Sequence, residues 1–136
     1  MSFREKSAWI TLVTVLICFG VYFGALAIGH VRGVHSLFLL LLCGIALAVL
    51  QMGLHVVAAV TTPKDGRAPR DERESLIQWR SHTLGYYVLM GLVLALFVPV
   101  HFRHTAIDMA NFALLGVVIA SLVVALAQIV MFRRGA

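Results

Sequence analysis

Six histidines are the side chains in this sequence with the most chemistry to offer. Neutral imidazole is a common ligand of zinc, copper and haem iron, so their placement matters more than their number. Hydropathy sorts all six towards the ends of apolar runs. His30, His35, His101 and His104 gather at one end with Asp108 close in sequence, while His55 and His82 lie towards the other. Four imidazoles at one level would suit a metal ion, and two paired levels in a four-helix bundle is a general pattern of membrane di-haem cytochromes. Against both, histidine tolerates a membrane interface, and "HFRH" lacks the i, i+4 spacing that aims two rings at one metal from a helix. The expectation is therefore no cofactor, with haem or a metal ion as the alternative and His30, His35, His101 and His104 as the candidate ligands. A hydrogen bond from His55 to Gln128 or to a group on the third helix accounts for that residue without a cofactor.

Other chemistry finds less support. No serine stands in a Gly-x-Ser-x-Gly context and there is no Gly-rich phosphate loop. Every Asp and Glu lies in a loop or at a helix end, which removes the membrane-embedded acid on which proton-coupled export depends. A single "DERE" is a weak metal motif for lipid chemistry beside a membrane. Cys18 and Cys43 both fall inside apolar runs and read as small buried residues. The chain reads as no enzyme.

The elements that must carry these residues are set by apolar length. Of 136 residues 61% are hydrophobic and only 12% charged, against roughly 25% charged in soluble domains. Runs at 8–29, 36–60, 83–100 and 110–131 are each near or above the ~18 to 20 residues a helix needs to cross a hydrocarbon core of ~30 Å. Within lipid each segment must satisfy its own backbone, so these runs read as helices. The first run, at about 22 residues, exceeds the ~7 to 15 of a signal-peptide core, so it reads as a span despite a conceivable cleavage site at "ALA". The fold expected is all-α: one integral membrane domain over 1–136, an antiparallel four-transmembrane-helix bundle with helices at about 8–29, 36–60, 71–100 and 110–131 and a loop at about 61–70.

Basic residues orient it. With both termini cytoplasmic, Arg4, Lys6, Lys64, Arg67, Arg70, Arg73, Arg80, Arg133 and Arg134 lie inside and only Arg32 and Arg103 outside. The location implied is the cell inner membrane, multi-pass, N-in and C-in. A net charge of +5 then needs no nucleic acid to explain it, because a basic cytoplasmic face facing anionic lipid is expected.

Helix faces give the next expectations. Gly20 and Gly24 form a small-xxx-small pair on helix 1, opposite Thr11, Thr14, Cys18, Ala25 and Gly29, and pack it within the bundle or across a homodimer. Gly44, Ala48, Gln51 and His55 form a small and polar stripe on helix 2 that should face protein. Asn111, Ser121 and Gln128 give helix 4, which begins near Asp108 or Asn111, an inward arc.

The segment 67–80, "RAPRDERESLIQWR", holds seven of the seventeen charged side chains. As a connector it is self-explanatory: acids start a helix and bases mark the cytoplasmic side. Pro69 and the acids Asp71, Glu72 and Glu74 mark the start, and no breaker follows before Val98, so helix 3 extends unbroken from the cytoplasm into the membrane. Beyond that minimum, Arg73, Ile77, Arg80 and Leu84 share one face, a surface that could dock on a partner.

The longer stretch "PRDERESLIQWRSHTLGYYVLM" resembles a motif in small uncharacterised bacterial inner-membrane proteins, in which an Asp-Glu-Arg cluster, an Ile and an Arg lead into a transmembrane helix bearing Tyr. Asp71, Glu72, Arg73, Ile77, Arg80 and Tyr86 match it. Members of that group have no agreed activity; some are encoded beside small helix-turn-helix regulators, which implies membrane partners for such regulators. The function expected is non-enzymatic: a regulatory or interaction protein that offers Asp71, Glu72, Arg73, Ile77 and Arg80 to a cytoplasmic or membrane protein. The alternatives are a haem- or metal-binding membrane protein and an accessory subunit of a larger membrane complex.

Overall fold

The computed structural model describes residues 3–29, 34–61, 71–102 and 104–134. They form α1 (Phe3–Ala27), α2 (Val34–Thr61), α3 (Glu72–Ala95), a short α4 (Phe97–His101) and α5 (Ala106–Arg134). Four of these are long and apolar enough to cross a membrane. At 1.5 Å per residue the shortest, of 24 residues, reaches ~36 Å, more than the ~30 Å hydrocarbon core. The chain divides into two compact units, Met1–Arg70 and Asp71–Ala136.

In the first unit α1 packs on α2. Ala8, Val15, Cys18 and Tyr22 are buried on α1, a spacing of three, four and seven that keeps one stripe on a neighbouring helix. Ser36, Cys43 and Ala58 are buried on α2, with Gln51 and His55 half-buried between them. The expected stripe is met only in part: Gly44, Gln51 and His55 are half-buried, but Ala48 is exposed and Cys43 is the buried residue beside Gly44. Cys18 and Cys43 are both buried free thiols. Helix 1 stops at Ala27 rather than Gly29, since Gly29 takes a φ of 73°, a left-handed conformation that ends helices and that glycine adopts without a Cβ clash.

In the second unit α3 packs on α5. The row Ile77, Ser81 and Gly85, four residues apart, is the buried edge of α3; Gly116, Val118, Ala120, Ala125 and Ile129 are buried on α5. Glycine at 85 permits the closest approach. A Cβ there would overlap Val124 Cγ2 and stand 3.5 Å from the Ala120 carbonyl oxygen. Gly116 makes a looser contact, its virtual Cβ 3.5 Å from Leu92 Cβ.

The ends of these helices depart from expectation. Helix α3 begins at Glu72, with Asp71 extended at its N-cap, but it stops at Ala95 and the chain turns at Leu96. Pro99 is the cause we assign: it has no N–H for the carbonyl of Ala95 and its ring crowds that carbonyl, so the ladder breaks one turn earlier. Leu96 N–H bonds instead to Val93 O at 3.2 Å. Helix α5 begins two residues before Asp108, because Thr105 and Asp108 form a capping box. Thr105 Oγ1 accepts the Asp108 N–H at 3.2 Å, and Asp108 Oδ2 accepts the Thr105 N–H at 3.1 Å.

Several hydroxyls along the helices return to their own backbones. Thr61 bonds Val57 O, Thr83 bonds Trp79 O and Ser121 bonds Val117 O, at 2.9, 2.9 and 2.8 Å. Ser121 thus needs no partner helix to be satisfied in lipid. Large apolar side chains meanwhile stay exposed around the helices, and the most apolar window of α2 is only 6% buried. A surface of that kind is stable where its surroundings are apolar too.

Candidate functional site

Helix α3 starts with three acids among its first residues, Asp71, Glu72 and Glu74, placed where the positive end of the helix dipole favours them. The same turns carry Arg73 and Arg80. Asp71, Glu72, Arg73 and Arg80 are all exposed, as a recognition surface requires. Ile77 is not: it is 2% exposed and heads the buried row with Ser81 and Gly85. Of the five residues named for a partner, Ile77 alone thus belongs to the packed edge of α3. At ~100° per residue Arg73, Arg80 and Leu76 fall within ~60° on one flank of the buried row, with Glu72 and Trp79 beyond them. Leu76 is 43% and Trp79 70% exposed, so these two are apolar side chains left open on that flank.

The buried row holds this surface in place. Ser81 is fully buried, yet its hydroxyl bonds Gln78 O at 2.9 Å, so the row carries no unsatisfied hydroxyl into the contact. His82 likewise returns to its own helix, its Nδ1 2.8 Å from Gln78 O.

A second polar constellation joins α1 to α2. His55 Nδ1 lies 2.7 Å from Gln51 O and Nε2 lies 2.8 Å from Ser7 Oγ. A carbonyl only accepts, so the proton sits on Nδ1; in the neutral ring Nε2 is then the acceptor and Ser7 O–H donates to it. The Gln51 side-chain amide extends the chain, donating to Thr14 Oγ1 at 3.4 Å, and Thr14 donates to Ile10 O at 2.7 Å. The hydrogen bonds expected for His55 from Gln128 or the third helix are thus met by Ser7 and by Gln51. Further along, Tyr22 and Ser36 pair through a side-chain hydrogen bond. Gln51 and His55 do pack helix on helix. Gly20 and Gly24 do not share that seam: a Cβ at either would meet nothing within 4 Å.

His30 lies outside the described residues. His35 is exposed, His101 Nδ1 stands 3.1 Å from Phe97 O of its own short helix, and His104 pairs with Asp108 at 4.0 Å. Among the described residues no three of His, Cys, Asp and Glu come together around a common point.

Three features were missed in the sequence. Ser7 stands just before the first apolar run, and only the α1–α2 register brings it to His55. Tyr22 and Ser36 are joined by the same register. The Thr105–Asp108 box was legible as Thr-x-x-Asp before an apolar run, with Asp in place of the usual Glu or Gln. Comparison with protein-family models, with characterised proteins and with solved structures finds no match for the chain.

Proposed function

We propose that the chain is an inner-membrane interaction protein, non-enzymatic and regulatory, that presents the start of α3 to a protein partner. In this reading the four helices form an antiparallel bundle with both termini cytoplasmic, and α3 extends beyond the lipid at its Glu72 end. The nine-to-two bias of basic residues supports that orientation. One observation carries the functional reading: charged and apolar side chains, Glu72, Arg73, Leu76, Trp79 and Arg80, stand exposed on a helix whose adjoining edge is buried. Mixed charge around an apolar centre favours specificity of pairing, with Trp and Arg the residues that most often dominate binding energy. The resemblance of 69–90 to small inner-membrane proteins agrees with this and makes a transcriptional regulator one candidate partner. Gly20 and Gly24 leave the other face of α1 for the rest of the bundle or for a second copy.

The test is capture of native partners in mild detergent by the wild type and by Arg73→Glu with Arg80→Glu. Two charge reversals at such a surface should lower capture by about tenfold or more, with membrane insertion and helicity unchanged. Capture that is undiminished in the inserted double variant rejects the reading.

A further inference from the structure

Side-chain hydrogen bonds between α1 and α2 fix how the two helices pass each other. Ser7 meets His55, Thr14 meets Gln51 and Tyr22 meets Ser36, so the contact moves down α2 as it moves up α1. Between the last two pairs each helix carries a cysteine. Cys18 stands four residues from both Thr14 and Tyr22, which keeps it on their face of α1. Cys43 stands seven residues, two turns, beyond Ser36 and eight short of Gln51, which sets it at the matching level of α2.

Burial shows that both thiols point into the seam. Helix α2 is open along most of its length, yet Cys43 is only 7% exposed, and Cys18 is 6% exposed on the buried stripe of α1. In a unit of two packed helices, what covers each thiol is the facing helix. The pair is close enough for a charge on Cys18 to be felt at Cys43. Both are free thiols.

What such a pair can hold follows from the chemistry of sulfur. Soft thiolates select soft metal ions. Structural zinc and iron–sulfur clusters ask for four ligands, and among the described residues no third His, Cys, Asp or Glu joins these two. Copper(I) has a filled d shell and is satisfied by two sulfurs in line. Two sulfurs on facing helices approach a single ion from opposite sides, which suits that geometry.

We infer that Cys18 and Cys43 form a two-sulfur binding site for copper(I) on the α1–α2 seam. Binding breaks two S–H bonds and forms two Cu–S bonds; both protons leave to solvent and no atom changes oxidation state. The bound ion ties α1 to α2 at a layer that the hydrogen bonds leave open. The site is independent of the partner surface at the start of α3.

The experiment titrates the full chain, reduced and anaerobic in mild detergent, into the coloured copper(I)–bicinchoninate complex. The wild type should withdraw one copper per chain, and X-ray absorption at the copper edge should show two sulfur neighbours. Cys18→Ser and Cys43→Ser should each weaken binding by about a hundredfold or more, beyond the ~10- to 100-fold of changes that only surround a ligand. Cys18→Ala and Cys43→Ala repeat the test without adding a hydroxyl to the seam, and circular dichroism checks the helices of all four. The inference is overturned by wild-type protein that is folded and reduced yet withdraws no copper, by folded cysteine variants that bind as the wild type does, or by copper held on histidine nitrogen.

Discussion

Gly85→Ala puts one methyl where α3 and α5 approach most closely. The new Cβ would overlap Val124 Cγ2, with Val124 Cβ at 3.7 Å and the Ala120 carbonyl oxygen at 3.5 Å behind it. The carbonyl oxygen is at ordinary van der Waals distance, so the overlap is with Val124 alone, and the strain falls on its side chain or on the helix spacing. Overpacking of that size costs ~1 to 3 kcal/mol. Alanine also favours the helix over glycine by ~1 kcal/mol, so the net destabilisation expected is ~0 to 2 kcal/mol. The single variant is therefore a poor test by itself, and the informative quantity is its sign in two backgrounds. With Val124→Ala the obstructing Cγ2 is gone. Gly85→Ala should then stabilise by up to ~1 kcal/mol, since the propensity gain remains and the methyl enters vacated space. Denaturation by SDS in mixed micelles, followed by circular dichroism, supplies the four free energies of the cycle. The predicted interaction between the sites is ~1 to 3 kcal/mol, favouring the double variant over the sum of its parts. Equal stabilisation by Gly85→Ala in both backgrounds would refute a close approach at this residue, and with it the anchoring of the α3 surface.

The first unit and the α5 start offer two further predictions. Ser7→Ala should destabilise by ~0.6 to 2 kcal/mol by leaving His55 Nε2 without its donor, whereas Ser7→Ala in a His55→Leu background should cost little; equal costs in both backgrounds would show that the two side chains do not interact. Thr105→Ala should weaken the start of α5 by ~0.5 to 2 kcal/mol and speed amide exchange at residues 106–109, with Thr105→Ser close to wild type; exchange unchanged in the alanine variant would deny the cap a role.

The polar seams explain how a chain this apolar keeps its helices in register. Between helices in lipid, apolar surface gains little by meeting apolar surface, so close packing and scattered hydrogen bonds decide the contact. The first unit uses hydrogen bonds, Ser7 to His55, Gln51 to Thr14 and Tyr22 to Ser36. The second uses small residues, with Ser81, Gly85, Gly116, Ala120 and Ala125 buried along α3 and α5. A polar group on the first seam and a new methyl on the second should therefore be felt differently, which the two sets of variants above separate.

What the sequence determined by itself was set by length and by local chemistry. Apolar runs of bilayer thickness led to four helices with few errors, because backbone satisfaction in lipid leaves no other structure for them. The acidic start of α3 was legible for the same local reason, and so was its run to Val98 without a breaker, though the break falls earlier because Pro99 acts on the carbonyl four residues before it. Faces were another matter. Ile77 shares a helical arc with Arg73 and Arg80, and nothing in the spacing says which side of that arc is covered; only the approach of α5 at Gly85 makes Ile77 a packing residue and leaves Leu76 and Trp79 outside. The usual guide, that apolar residues face inward, fails when the solvent is apolar as well. For that reason the partners of His55, the burial of Ile77 and the meeting of Cys18 with Cys43 were decided by which helices pair and in what register, which is information carried between segments and not within them.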